Sequence, residues 1–299
     1  MFFHVNPLSN TQRYAIIKKS LGDKMKNWLQ DKTIVLTGAS GGIGRQLCKL
    51  LVQKYGATVI GIGRSEEKMQ SLCQELSAFE NKFSYYLFDV SQRENWQNFK
   101  EELLQKGIDV HLLINNAGIF PSFQTVSNTS AETFEKVLQV NYLSSVYAVE
   151  TLYSLLTGDK KDKPAIVNIS SSAALCTVVG TAAYSASKAA LKGYTEALQM
   201  EEKGKKYIGI VYPGTTATEL FRSDENTKNS ALDIVAMPAD KMAKKIARRI
   251  VRKRKRNIVG WDAKLMNLTA KCMPVVGLSL IRGVMKASKS KVFKNVFHK

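Results

Sequence analysis

Tyr184 and Lys188 stand four residues apart in Tyr184-Ser-Ala-Ser-Lys188. On a helix that spacing sets a phenol and an ammonium on one face, with Cβ atoms about 5–6 Å apart. A free tyrosine titrates near ~10, too high for a base at neutral pH. A neighbouring cation favours the tyrosinate and moves it toward working range. The pair therefore suits proton exchange with an alcohol or carbonyl oxygen. The spacing alone is weak, because such pairs also decorate exposed helices. Its weight comes from position, at the start of the helix that follows the run Ala165–Ile169. That run ends in Ser170, Ser171 and Ser172. A hydroxyl at a strand's carboxyl end can donate to a substrate carbonyl, although at least two of the three fit turn-capping roles. Asn141 falls inside a long apolar helix, where Asn is mildly unfavourable. Buried there, it needs partners, and a water or a backbone link is expected.

A second constellation handles anions. The run Thr33–Thr37 leads straight into Gly38-Ala39-Ser40-Gly41-Gly42-Ile43-Gly44, and a helix follows. Gly38 permits the tight turn, Gly42 lets backbone N–H groups approach a pyrophosphate, and Gly44 allows close helix–strand packing. The helix N-terminus then faces the anion. Glycine-rich loops of this kind also recur by accident, so the strand–turn–helix context carries the reading. The next strand ends at Gly63-Arg64-Ser65, where ribose selection is made. A carboxylate there would bind the adenosine ribose hydroxyls and repel a 2′-phosphate. This chain has a small residue and then a guanidinium, which offers bidentate donors to phosphate. The prediction is NADP(H), against the plainer reading of Arg64 as a solvated helix-entry residue. Asp89-Val90, ending the third strand, can put a carboxylate on the adenine amino group or simply cap the next helix.

The elements that position these groups read as short β-branched runs alternating with helical patterns. The runs are Thr33–Thr37, Thr58–Ile62, Phe83–Phe88, Val110–Asn115, Ala165–Ile169, Tyr207–Tyr212 and Asn257–Gly260. Most are continuously apolar, as strands buried on both faces of a parallel sheet should be. Amphipathic stretches separate them: Ile43–Tyr55, Glu66–Ala78, Gln92–Lys106, Ala131–Leu156 and Tyr184–Lys203. The alternation predicts an α/β fold, a doubly wound sheet with right-handed crossovers.

At 299 residues with 44% hydrophobic and 23% charged side chains, the composition excludes wholesale disorder and fibrous repeats. The charge is lopsided. Residues 1–240 hold 26 basic and 24 acidic side chains, whereas residues 241–299 hold 18 basic and one acidic, Asp262. Such asymmetry implies a membrane surface or nucleic acid as partner. Cys48, Cys73, Cys176 and Cys272 lack the spacing of a disulfide framework or a metal site. Reduced packing cysteines, no metal and an intracellular, cytoplasmic location are expected. The N-terminus lacks a signal-peptide core. Its Tyr14, Ile17, Leu21, Met25 and Trp28 instead recur at helical steps. Three parts are expected: an amphipathic extension over 1–30, a nucleotide-binding body over 31–260, and a basic helical tail over 261–299.

Taken in order, Thr37-Gly-x-x-x-Gly42-x-Gly44, Asp89, Asn115-Asn-Ala-Gly118, Asn141, Ser171, Tyr184-x-x-x-Lys188, and Pro213-Gly214 followed by Thr218 resemble the short-chain dehydrogenase/reductase family. The match covers about residues 30–260. It implies a Rossmann-type, mostly parallel seven-stranded sheet and an oxidoreductase acting on a CH–OH group. It also implies a catalytic set of Ser171, Tyr184, Lys188 and Asn141. Ser171 is preferred because the family's serine lies thirteen residues before the tyrosine; Ser172 is the fallback. By the resemblance, Tyr184 exchanges the proton, and Lys188 holds the nicotinamide ribose and lowers the tyrosine pKa. Ser171 orients the substrate oxygen, and Asn141 holds a relay water. The resemblance brings Gly38, Ser40, Gly42, Ile43, Gly44, Arg64, Asp89, Val90, Asn116, Ala117, Gly118, Pro213, Gly214 and Thr218 to the coenzyme, together with Tyr184 and Lys188. One departure is that Gly41 fills a place where many NADP-dependent members carry a basic residue. Arg64 must do more, with Ser40 and Arg45 as candidate helpers. A homodimer or homotetramer is the expected assembly.

The family's substrate loop corresponds to about Thr215–Met237, offering Leu220, Phe221, Leu232, Ile234, Val235 and Met237. Phe120, Leu175, Val178 and Val179 come from other expected walls, some of them plain core. A mostly apolar pocket suggests a lipophilic ketone or secondary alcohol, hydroxysteroid-like or long-chain 3-oxoacyl. Beyond residue 240, a helix with a basic outer side is followed by apolar residues alternating with lysines, including Leu265, Leu268, Val276, Leu280, Ile281, Val284 and Met285. This fits an interfacial hairpin near the substrate mouth, in peripheral contact with an anionic membrane. A dimer contact or a solubilising face are the plainer readings. A nucleic-acid-binding or scaffold protein built on a reductase fold is the competing class, with Arg252–Arg256 on phosphates. The run lacks aromatics for stacking, so no nucleic acid is expected.

Overall fold

The β-branched runs become strands because each packs side chains on both of its faces. The computed structural model describes residues 27–221, 236–288 and 290–297. Seven strands form one sheet: β1 (Thr33–Thr37), β2 (Thr58–Gly63), β3 (Phe83–Leu87), β4 (Leu112–Asn115), β5 (Ala165–Ile169), β6 (Tyr207–Pro213) and β7 (Arg256–Val259). All pairings are parallel, in the order β3-β2-β1-β4-β5-β6-β7. The doubly wound α/β sheet expected from the sequence is present, with helices on both faces.

The helices are α1 (Gly42–Gln53), α2 (Glu66–Glu75), α3 (Arg93–Gln105), α4 (residues 131–152), α5 (Ala182–Glu201), α6 (Ala239–Val251), α7 (Trp261–Cys272) and α8 (Val276–Ala287). Alternate strand residues feed two cores. On one face Ile34, Leu36, Val59, Ile114 and Val167 pack against Leu47 and Leu51 of α1 and Met242, Ile246 and Ile250 of α6. On the other, Val35, Ile60, Leu113 and Ile166 meet Trp96, Phe99 and Leu103 of α3 and Ala148 and Leu152 of α4. Central strands β4 and β5 are wholly buried, while the edge strand β3 is half exposed.

Several predicted bounds shift for local reasons. The stretch Glu66–Ala78 stops at Glu75 and continues as a 3₁₀ segment, Ser77–Lys82, broken at Phe79. Val110 leaves β4 and forms a lone bridge with Leu156. Helix α4 is interrupted by a π-turn at Gln139–Leu143. The amphipathic face Tyr14, Ile17, Leu21 and Met25 lies outside the described residues, whereas Trp28 and Leu29 are buried in the core. No described helix is long and apolar enough to cross a membrane.

The basic C-terminal region, residues 241–299, divides its charge between two ends of the molecule. The run Arg252–Arg256 lies at the amino ends of β6 and β7, where Ile210 pairs with Arg256. Lys253 is tied there to Asp162 at 3.0 Å. Helices α7 and α8 follow β7 at the carboxyl end. They cross closely, since a Cβ on Gly277 would sit 2.3 Å from Thr269 Cγ2. Buried Asp262, at the start of α7, accepts the Thr215 backbone N–H at 2.5 Å.

Candidate active site

The carboxyl ends of the strands open into a cavity of about 500 Å³. Its floor is the turn after β1. Gly38 and Gly42 adopt φ of +68° and +53°, a region that favours glycine. A Cβ on Gly44 would lie 2.1 Å from the Gly38 carbonyl oxygen, so only glycine lets α1 start this close. The α1 N-terminus has no side-chain cap and no acid in its first turn, leaving backbone donors for an anion. The turn is pinned by Thr37, whose Oγ1 accepts the Asn116 and Ala117 N–H groups, both at 2.9 Å. Thr37→Val strands two partly buried donors. It is expected to lower stability by about 1–3 kcal/mol, read as a lower urea midpoint with an unchanged slope. An unaltered midpoint would show that the pins contribute nothing. The cradle fits a dinucleotide's pyrophosphate.

At the far end, Arg64 and Lys68 line the cavity. Arg64 Nη1 lies 4.0 Å from Asp89 Oδ2, and Lys68 Nζ pairs with Glu219. Burial acts to raise the Asp89 carboxyl, but the Ser91 N–H and hydroxyl and the Arg64 charge outweigh it and hold the group below its usual range. The same Ser91 bonds, at 2.9 and 2.8 Å, close a local turn and do not cap α3, whose N-cap Gln92 has no side-chain cap. Arg45 is no helper at this end. Its guanidinium is committed to the Lys68 carbonyl, Ser71 and Glu75 of α2, and it does not line the cavity. Lys68, one helical turn after Arg64, lines the cavity instead. The i, i+4 spacing of the two cations was the available sequence signal.

Tyr184 and Lys188 meet the cavity side by side on the first turns of α5. Tyr184 shares a side-chain hydrogen bond with Ser171. Ser170, by contrast, donates to the Lys188 carbonyl at 2.9 Å, a packing role. Lys188 Nζ donates to the Ile169 carbonyl at 3.2 Å and lies 5.9 Å from the Tyr184 ring centroid. Burial pushes the Tyr184 phenol up to about 12, with the Ser171 hydrogen bond pulling the other way. Burial likewise brings the Lys188 ammonium down to about 8. The expected lowering of the tyrosine by its lysine is therefore not seen. The ammonium is directed at a carbonyl, lies over the ring face and is itself desolvated.

Asn141 and Gly44 stand behind the cavity wall. The Asn141 amide is fully buried and clasps the backbone of Ile119, accepting its N–H at 2.7 Å and donating to its carbonyl at 3.0 Å. It also donates to Ser187 Oγ. The π-turn brings this residue inward, and the backbone link expected for a buried Asn is the one found. The other residues assigned to the coenzyme, namely Gly38, Ser40, Gly42, Ile43, Arg64, Asp89, Val90, Asn116, Ala117, Gly118, Pro213, Gly214 and Thr218, all line the cavity.

The remaining wall is apolar. Tyr184 stacks edge-on against Phe120 at 5.3 Å, Phe120 against Phe123 at 4.8 Å, and Phe123 against Phe293 at 5.0 Å. Met266, Ile281 and Met285 of the hairpin join them. Phe120, Val178 and Leu220 fall where the sequence puts them; Leu175 and Val179 do not line the cavity, and Met237 packs on the core instead. Leu232, Ile234, Val235 and the Phe221 side chain lie outside the described residues. The sequence places the tail near the substrate mouth but does not single out Phe123, Met266 or Phe293, because which loop and tail side chains turn inward depends on the assembled cavity. Among the described residues no His/Cys/Asp/Glu cluster could hold a metal.

Comparison with known proteins agrees with this architecture. A family model described as short chain dehydrogenase matches residues 32–229. Benzil reductase ((S)-benzoin forming) of Saccharomyces cerevisiae is 31% identical over 205 residues, covering 66% of this chain and 76% of the yeast protein. The 3-ketodihydrosphingosine reductase of Bos taurus is 28% identical over 275 residues, covering 88% of this chain and 81% of its own. A short chain dehydrogenase of Shigella flexneri, solved in complex with NADP, superposes with a TM-score of 0.70 at 24% identity, covering 80% of this chain and all of that one. The family model spans well over half of the sequence, including the glycine cradle and the Tyr184–Lys188 pair, so the chain belongs to the short chain dehydrogenases, NAD(P)-dependent oxidoreductases.

Proposed function

We propose that the protein is an NADP(H)-dependent reductase that interconverts a ketone and a secondary alcohol on a lipophilic substrate, hydroxysteroid-like or long-chain 3-oxoacyl. One observation carries the reading: a protonated, buried phenol bonded to Ser171 sits where the glycine cradle meets the wall of Phe120, Phe123, Met266 and Phe293. The coenzyme, when bound, supplies or accepts the hydride through its nicotinamide ring. The protein's own groups handle the oxygen. Tyr184 Oη donates its proton to the carbonyl oxygen as negative charge develops there, and takes it back when the alcohol is oxidised. Ser171 Oγ fixes that oxygen's orientation. Lys188 presents its charge beside the phenol and to the nicotinamide ribose. Asn141 acts as a positioning residue, holding Ile119 and hence the wall between Gly118 and Phe120. Arg64 and Lys68 select the 2′-phosphate.

The names of the yeast and bovine relatives, which reduce benzil and 3-ketodihydrosphingosine, support a lipophilic ketone. The test is NADPH consumption with keto-steroids, 3-oxoacyl thioesters, long-chain ketones and short water-soluble ketones. Burying a methylene is worth about 0.8 kcal/mol, so kcat/KM is expected to rise about fourfold per added buried carbon until the wall is filled. Equal rates on short and long ketones would remove the lipophilic assignment.

A further inference from the structure

The hairpin that roofs the cavity carries apolar side chains on its outer side as well. Along α7, Trp261, Leu265, Leu268 and Cys272 recur at steps of four, three and four; along α8, Val276, Leu280 and Val284 recur at steps of four. These are helical stripes, and they face solvent: Trp261 is 61% exposed and Val284 71%, while Val275 in the connection is 77% exposed. Single exposed apolar residues are ordinary, but a row spanning two consecutive helices marks a binding surface. The inward residues of the same helices, Met266, Ile281 and Met285, line the cavity. Each helix is twelve residues long, too short to span a bilayer, which takes about 20.

Charge identifies the occupant. Lys264, Lys271, Arg282 and Lys286 are exposed around the stripes. The one acid after residue 260, Asp262, is buried on the Thr215 N–H. A second copy meeting this face through a two-fold contact would set like charges against each other. Residues 1–26 of the same chain, with five basic and one acidic side chain, carry the same sign. A lipid surface with anionic headgroups matches both features. The stripes enter the boundary between headgroup and acyl chain, and the long cationic side chains reach the headgroups. We infer that the α7–α8 hairpin docks the protein on an anionic lipid surface, with the cavity mouth against the lipid. The inference concerns the outer face and does not depend on which ketone the cavity takes.

The test mixes the full-length protein with vesicles of phosphatidylcholine, with and without phosphatidylserine, and follows co-sedimentation and tryptophan emission. The expected result is binding that is stronger with phosphatidylserine and weakened by salt. It should fall by about tenfold or more in Leu280→Glu/Val284→Glu. Neither residue lines the cavity, so the variant's circular dichroism and its NADPH oxidation with a water-soluble ketone should match the wild type. Absence of vesicle binding by the wild type would overturn the inference, and so would equal binding by the variant. A variant whose sole change is a smaller oligomer would assign the face to a second copy. Vesicle binding that persists while the ketone panel fails would overturn the substrate reading alone.

Discussion

Tyr184→Phe is expected to slow turnover by about 10²–10⁴-fold while leaving NADPH binding intact. The substitution deletes one hydroxyl. The ring keeps its edge-on contact with Phe120 at 5.3 Å, and the glycine cradle is untouched. Fluorescence titration of NADPH and steady-state rates with the best ketone of the panel separate the two quantities. Turnover at the wild-type rate would end the case for Tyr184 as proton donor. The pH profile adds a second readout. With the Tyr184 phenol up at about 12, the donor stays protonated across the accessible range. Lys188, brought down to about 8 by burial, is charged below that pH and loses its proton above it. The kcat/KM for reduction is therefore expected to be flat below pH about 8 and to fall above it, with the fall assigned to the lysine.

Arg64→Asp is expected to raise the NADPH KM by about a hundredfold and to leave the NADH KM within a few-fold. A charge-assisted contact to phosphate is worth about 1.5–3 kcal/mol, and the new carboxylate repels the phosphate it replaces. The fold should survive. Arg64 is mostly exposed, and its 4.0 Å pair with Asp89 is of a kind worth about 0–1 kcal/mol. Lys68 remains one turn away, so Arg64→Asp/Lys68→Ala should deepen the loss for NADPH specifically. Equal KM changes for both coenzymes would refute the selectivity for the phosphorylated one.

The sheet and the coenzyme end were legible because their residues are constrained locally. Gly42 must take a positive φ, Gly44 must lie against a carbonyl, and the strands must be apolar on both faces, so each leaves its mark within a few positions. The same holds for Tyr184 and Lys188, which one helical turn brings together. What escaped depends on contacts between distant segments. Phe293 reaches Phe123 across about 170 positions and carries no local pattern. The capture of Arg45 by Glu75, 30 positions on, could not be seen from a turn that seemed to need it. The electrostatics of Tyr184 escaped for a different reason. Spacing shows that a cation is near, but the sign of the shift is decided by how completely both groups are desolvated, which is a property of the assembled cavity.

Asp262 gives two parts of the molecule a shared anchor. Its carboxylate ties the first turn of the roof to Thr215, in the segment after β6 whose Pro213, Gly214 and Thr218 line the cavity. One carboxylate therefore serves as the common anchor of two walls of the cavity, the roof and the segment after β6.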